Sequence, residues 1–579
     1  MIKLLKYLKP YTLELIALIA LVFATVAATL ELPGYMAVII NEGIIKADNS
    51  IIFYNGLIML LIALAGGLCT IGVGYLSSRI ASAFSRDLRN KLFSKIESFS
   101  LIEFNKFSTA SLITRSTNDV QQIQTTMVML LRMVLQAPIM GLWAIYKAYH
   151  LAASLSWIIA LGVIVLIGAV SVIFAIALPK FKALQKLVDK LNLVTRQNLT
   201  GLRVIRAFNN EQVEQTKFEE VNLELTATNL FVNRLMVVMQ PAMMLILNLT
   251  SVLIVWLGAQ LISSGSLSVG DMIAFMQYAM QVIMAFLMIS IMFIMVPRAS
   301  VSASRVNEVL GTELTIKDPE KPISSKDHNG GVVEFKNVSF HYPGADSPVL
   351  ENISFVAKSG ETTAFIGSTG SGKSTLINLI PRFYDVSSGK ILINGIDLRD
   401  YRLEDLYNKI GYVPQKGVLF SGTVESNIKY GAPDASEADL KQAVTTSQAL
   451  EFVENLKNTY QSSIAQGGAN VSGGQKQRLA IARAIIKQPE IFIFDDSFSA
   501  LDFKTDANLR ASLEAVTKNK TVLIVAQRVS TILSAEQIIV LDAGKIVGIG
   551  SHQELFKNCD IYREIVNSQL SESDLKNLL

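Results

Sequence analysis

Charge-free stretches dominate the first half of the chain. Residues 56–76, 151–179, 235–270 and 272–297 contain no Asp, Glu, Lys or Arg, and each is long enough as a helix to cross roughly 30 Å of hydrocarbon. Two weaker stretches complete the set: 15–30 runs apolar up to Glu31, and 124–146 is interrupted by Arg132. The pattern predicts six membrane spans, so both termini lie on one side of the lipid bilayer. The short loops at 41–50, 147–150 and 264–271 carry only Lys46 and Lys147 as bases, whereas the long connections, from Arg79 to Arg115 and from Lys180 to Arg234, are basic. Positive residues stay inside, which predicts cytoplasmic N- and C-termini.

After Pro297 the character changes. The segment "GTELTIKDPEKPISSKDHNGG", residues 311–331, is polar, with two prolines and a Gly pair, and reads as a linker. Beyond it, apolar runs of strand length ("VVEFKNVSF", "TTAFIG", "EIFIFDD", "TVLIVAQ", "QIIVLD", "KIVGIG") alternate with helical stretches. That alternation predicts an α/β domain with a largely parallel sheet. The expected organisation is a six-helix, all-α membrane domain over 1–310, a linker over 311–331 and an α/β domain over 332–579.

Composition adds limits. With 51% hydrophobic and 17% charged residues in 579, the chain is too apolar for an ordinary soluble protein. Its net charge of +4 comes without a compact basic patch interleaved with aromatics, so no nucleic acid is expected as a partner. The two cysteines, Cys69 and Cys559, lie in different regions and fit a reduced compartment. Lysines at 3, 6 and 9 precede the first apolar run without a convincing cleavage site, and the first span is expected to stay in place.

Phosphate chemistry enters with "GSTGSGKST", which is Gly367, Ser368, Thr369, Gly370, Ser371, Gly372, Lys373, Ser374 and Thr375. It fits G-x-x-x-x-G-K-S/T between a strand and a helix. The glycines let backbone amides curl around phosphates at the positive end of a helix. Lys373 is placed to reach the β and γ phosphates, and Ser374 to ligate magnesium. In "IFIFDD", Asp495 ends a buried strand and is a second magnesium candidate. "VSGGQKQRLAIARA" begins a helix with Ser472, Gly473, Gly474 and Gln475, a second anion-binding helix start. One chain with one P-loop rarely needs two such sites, unless the second serves another chain's nucleotide.

By these motifs the second half resembles the nucleotide-binding domain of an ABC transporter, and the whole chain resembles a bacterial half-transporter of the exporter type. Tyr342 in "FHYPG" matches the family's adenine-stacking aromatic, Gln415 in "GYVPQ" its Q-loop glutamine, Ser472 to Gln475 its signature and Asp502 in "SALD" its D-loop. "FNKFSTASLITRSTNDV" and "TGLRVIRAFNNEQ" resemble its two cytoplasmic coupling segments. The resemblance implies ATP and Mg2+ as cofactors, with Gln415 a further metal ligand. It also implies helices that continue into the cytoplasm, and a dimer in which each nucleotide lies between one chain's P-loop and the other's signature.

Two positions depart from the family pattern. The carboxylate that polarises the attacking water is a glutamate in the family, but here it is Asp496, one methylene shorter. A displacement near 1 Å from productive geometry costs on the order of 100-fold in rate. The switch histidine is replaced by Gln527, which hydrogen-bonds but cannot take a positive charge. None of the four histidines, His150, His328, His341 and His552, is near it in sequence. Gln466 stands where exporters commonly have an acidic residue before the signature, a milder departure. The expectation is a degenerate site that binds ATP and hydrolyses it slowly or not at all, in a heterodimer whose partner half-transporter carries Glu and His. A homodimer that tolerates Asp496 and Gln527 is the alternative.

The cargo is less legible. Methionines recur every four residues from Met272 to Met292, and Met280, Met284 and Met288 are either an adaptable lining for a hydrophobic small molecule or lipid-facing filler. Glu31 either attracts a cation or marks the outer end of its span; Arg132 either serves substrate or snorkels to the interface. The resemblance implies export of hydrophobic or amphipathic compounds (multidrug type) across the bacterial cell membrane. A lipid flippase and an ATP-gated channel or regulatory subunit are the other readings.

Overall fold

The computed structural model describes residues 2–323 and 330–570. Residues 324–329 of the expected linker, with His328, and residues 571–579 of the expected α/β domain lie outside the described residues. The chain divides into two compact units, one of residues 1–97 and 109–312, the other of residues 98–108 and 313–579.

In the first unit, among the described residues, six helices are long and apolar enough to cross a membrane: Lys3–Ile44, Asn49–Glu97, Thr109–Leu151, Ala153–Thr200, Glu211–Ser263 and Val269–Gly311. At 1.5 Å per residue, a helix of 53 residues such as Glu211–Ser263 is about 80 Å long, far more than the hydrocarbon requires. The change of character after Pro297 does not break the last helix. Ala299, Ala303, Val306 and Val309 stay buried along one stripe, and their spacing of three and four residues is that of a helix face packed inward.

The third helix, read from the sequence as interrupted at Arg132, is continuous through a π-helical turn over Leu130–Val134. Arg132 sits inside that turn and donates from Nε to Ser77 Oγ at 3.1 Å. A second π turn, Arg115–Asp119, directs two charged side chains to the last helix. Arg115 donates to Arg305 O at 2.7 Å and pairs with Glu308 at 2.8 Å. Asp119 accepts from Ser302 Oγ at 2.9 Å and pairs with Arg305 at 3.3 Å.

The second unit has a six-stranded sheet in the order Lys545–Gly550, Gln537–Asp542, Thr362–Gly367, Thr521–Val525, Ile491–Asp495 and Ile410–Val413. Every pairing in it is parallel except the edge pair of Gln537–Asp542 with Lys545–Gly550. A second sheet, Leu350–Ala357, Val333–Phe340, Ser388–Ile393 and Ile396–Asp397, is antiparallel. The unbroken apolar run of "IFIF" is explained by burial on both faces. Phe492 and Phe494 point into one core with Ile366 and Ile524, and Ile491 and Ile493 into another with Phe365 and Leu523.

Residues 98–108 form part of this second unit. The short helix Leu101–Lys106 carries a capping box between Ser100 and Glu103, and Leu101 and Ile102 pack on the Phe365-containing core. Glu103, buried, also accepts from the backbone N–H of Thr315 at 2.8 Å and from its hydroxyl. Burial pushes the Glu103 carboxyl up, but the hydrogen bonds from Ser100 and Thr315 outweigh it and hold the group at about 2.

Candidate nucleotide site

The parallel register builds the site. Val522 pairs with Thr362, Thr521 with Ile491 and Ile410 with Ile491, so these strands end at one level. Asp495 is the last residue of its strand, and the P-loop, Asp496, Gln415 and Gln527 come at or just beyond these ends, the edge at which parallel sheets bind ligands.

The P-loop is held by its own lysine. Lys373 Nζ donates to Gly367 O at 2.9 Å, Ser368 O at 2.7 Å and Ser371 Oγ at 3.3 Å. Burial lowers its pKa, while Asp496 and Asp495 work in the opposite direction. Two loop glycines are conformationally required. Gly367 has φ +156°, and a methyl there would stand 2.0 Å from Leu541 O. Gly372 has φ +97°, and its methyl would meet Leu350 Cδ2 at 2.7 Å. Thr369 and Gly370 lie in the same turn, before the helix Lys373–Leu379.

Ser374 Oγ donates to Asp495 Oδ1 at 3.0 Å. Burial raises the Asp495 pKa and Asp496 adds to that, while the Ser374 bond and Lys373 oppose it. A hydroxyl and a buried carboxylate at this spacing are a hard-oxygen donor pair that fits Mg2+.

Asp496 is buried, with φ +47°, a region in which Asp and Asn are enriched among non-glycine residues. Its Oδ2 accepts from two side-chain amides, Gln527 Nε2 at 2.9 Å and Gln415 Nε2 at 3.2 Å. The two departures from the family pattern and the Q-loop glutamine thus meet at one oxygen. Gln569 closes the far side of the switch segment, taking the N–H of Val529 on Oε1 and donating from Nε2 to Gln527 O, each at 2.8 Å. No sequence motif flags Gln569; it sits 42 residues beyond Gln527.

Tyr342 Oη lies 3.0 Å from Thr375 Oγ1, beside the P-loop helix. The signature is placed differently. Ser472 caps the helix Gly473–Ile486 in a reciprocal box with Gln475, so its side chain is engaged locally. A methyl at Gly474 would sit 3.3 Å from Ala500 O, whereas one at Gly473 would meet open space. Asp502 caps the helix Phe503–Thr517 by accepting from Thr505 N at 2.9 Å.

The substrate candidates differ in their local surroundings. Glu31 is paired with Lys147 at 2.7 Å, and Arg132 with Ser77. Met280 and Met284 are 44% and 41% exposed, while Met288 is half-buried.

Comparison with known proteins gives the class of this molecule. The family model for the ABC transporter transmembrane region matches residues 15–286, and that for the ABC transporter matches residues 350–499. The chain is 43% identical over 567 residues to the uncharacterized ABC transporter ATP-binding protein Rv1273c of Mycobacterium tuberculosis, covering 97% of each. It is 37% identical over 571 residues to the corresponding protein YfiB of Bacillus subtilis, covering 98% of each. The ATP-dependent lipid A-core flippase of Pseudomonas aeruginosa is 31% identical over 530 residues, 91% of this chain and 86% of that protein. Among solved structures, a bacterial Atm1-family ABC exporter with ATP bound superposes with a TM-score of 0.82 at 25% identity, covering 97% of this chain and 98% of that one. The chain therefore belongs to the ABC transporter family. It is a half-transporter of the exporter type, with a six-helix membrane region and an α/β transport ATPase domain.

Proposed function

We propose that this chain is one subunit of a heterodimeric bacterial exporter that moves hydrophobic or amphipathic compounds outward, with cytoplasmic termini. Its own P-loop holds ATP at a degenerate site, while Ser472 to Gln475 complete the hydrolytic site of a partner carrying Glu and His. The observation that carries this reading is the engagement of Asp496 Oδ2 by Gln527 and Gln415. A general base must accept a proton from water within hydrogen-bond reach. Here one oxygen of a shortened carboxylate is occupied by two neutral donors, and neither can take up charge as an imidazole does.

The open face of Gly473 supports the second half of the reading, because a signature that serves another chain's nucleotide needs an unobstructed helix start. In the nucleotide site, Mg2+ would be held by Ser374 and Asp495, with Gln415 next to them, and would neutralise charge developing on the β and γ phosphates. Lys373 would exchange its loop carbonyls for phosphate oxygens. ATP held without hydrolysis favours the closed state of the pair, and hydrolysis on the partner's side resets it.

A second reading, lipid flipping, is favoured by the relatives named ATP-dependent lipid A-core flippase at 31% and 32% identity. It shares the same nucleotide chemistry and differs in cargo.

The test is ATPase turnover of the chain alone and together with a candidate partner half-transporter. Negligible turnover alone, restored with the partner and abolished when the partner's Walker B Glu becomes Gln, is the expected outcome. Robust turnover alone, lost on Asp496→Asn, would refute the degenerate site. Translocation of a fluorescent lipid in vesicles, competing with extrusion of an amphipathic dye, separates the two cargo readings.

A further inference from the structure

Tyr384 touches both the aromatic residue of the nucleotide site and the short helix Leu101–Lys106. Its hydroxyl accepts from Asn105 Nδ2 at 3.4 Å. Its ring stands perpendicular to that of Tyr342, with centroids 5.3 Å apart at 89°. Tyr342 is fixed at its other end by the 3.0 Å contact with Thr375 Oγ1, one residue beyond the magnesium candidate Ser374. Phe340 wedges both rings, 5.0 Å from Tyr342 and 5.5 Å from Tyr384. The result is one contiguous path from residue 105 to the P-loop helix.

From this path we infer that Tyr384 is a positioning residue: it sets the plane of Tyr342 for the adenine and transmits nucleotide occupancy to residues 98–108 through Asn105. The inference rests on the reading that ATP binds at this chain's P-loop.

Three physical facts favour it. Tyr384 is 7% exposed and packed in the core to which Leu101 and Ile102 also belong, so its ring cannot swing aside without disturbing its neighbours. Tyr342 is pinned at its hydroxyl and flanked by two rings, so a base stacking on its face must press on that edge-to-face packing. Residues 98–108 lie in the chain between the helix ending at Glu97 and the one beginning at Thr109. A displacement there reaches two spanning helices through covalent bonds alone. Burial raises the Tyr384 pKa, with Tyr342 adding to the rise and Asn105 opposing it; the hydroxyl stays neutral at physiological pH and keeps its place in the path.

The two ends of Tyr384 can be removed separately in the full-length complex. Tyr384→Phe keeps the ring and loses the contact with Asn105; Asn105→Ala removes the same contact from the other side; Tyr384→Leu removes the ring. TNP-ATP binding should be unchanged in Asn105→Ala, which lies outside the nucleotide site, and roughly threefold to tenfold weaker in Tyr384→Leu, the loss of an edge-to-face aromatic contact. Hydrogen exchange is the second readout. In the wild type, ATP should slow exchange both in the P-loop helix and in residues 98–108. In Tyr384→Phe and Asn105→Ala only the P-loop helix should respond. An ATP response at 98–108 as large in these two variants as in the wild type would overturn the inference. Absence of TNP-ATP binding to the wild type would overturn the nucleotide reading and this inference with it; binding without any response at 98–108 would overturn this inference alone.

Discussion

The side-chain amide of Gln527 donates to Oδ2 of Asp496 at 2.9 Å. Aspartate and glutamine at these two positions therefore satisfy each other. Gln415, the third member, reaches the same oxygen at 3.2 Å. One carboxylate oxygen of Asp496 thus carries two neutral amide donors.

The first prediction is that the pair limits hydrolysis together. In a complex whose partner lacks its P-loop lysine, so that only this site turns over, Asp496→Glu with Gln527→His should raise ATPase activity by about 100-fold, the cost ascribed to a misplacement near 1 Å. Turnover unchanged in the double variant would place the limitation elsewhere.

Lys373 organises the loop, since it holds the carbonyls of Gly367 and Ser368. Lys373→Ala should weaken TNP-ATP binding at least tenfold, the order expected for one charge-assisted contact worth about 1.5–3 kcal/mol. Near-wild-type binding would mean that nucleotide does not enter this loop.

Glu103 ties residues 98–108 to Thr315. Its carboxyl, held at about 2 against an ordinary 4.5, has a depressed folded-state pKa. Its stabilisation is therefore fully present above about 4.5 and is lost as the pH falls from there towards 2. Hydrogen exchange of residues 98–108 should stay slow at pH 5 and quicken below about 4, and Glu103→Ala should show fast exchange already at pH 7. Equal protection in the variant at pH 7 would remove Glu103 from this role.

Gln569 holds the switch segment by two backbone contacts at 2.8 Å. In Gln569→Ala the amide of Val529 should exchange roughly fivefold faster, corresponding to about 1 kcal/mol for one hydrogen bond. Exchange at Val529 identical to the wild type would show that the segment is held by other means.

Glu31 and Lys147 offer a test of the cavity reading. As a pair, they should behave reciprocally: Lys147→Met alone lowers the thermal stability of the complex, and adding Glu31→Gln restores it, because the uncompensated charge is what costs. If Glu31 instead recruits cationic cargo, Glu31→Gln alone abolishes transport of a cationic dye while leaving a neutral one untouched.

What could be read along the chain was whatever depends on neighbours a few residues apart. Four spans follow from runs without charge and two from weaker apolar runs, and each has its helix in the structure. The P-loop and the signature are likewise local, since a glycine-rich turn entering a helix needs its residues consecutive. The strand Leu350–Ala357 was not among the predicted runs: its apolar residues are separated by polar ones, because only one face of it is buried. Arg132 read as a break because a charge in an apolar run suggests an end, yet a single widened turn and Ser77 accommodate it.

The sequence by itself determined the family, the order of membrane and ATPase regions and the identity of the departures at Asp496 and Gln527. Only the tertiary structure decided that these two residues, 31 apart, share one hydrogen bond with each other, that Gln415 from 81 residues away joins them, and that Tyr384 joins Asn105 to Tyr342. The reason is physical. Motifs are set by bonds along the backbone, whereas these contacts are set by the register of parallel strands and by the packing on their faces, which bring distant segments to one edge without leaving a periodic trace in the chain.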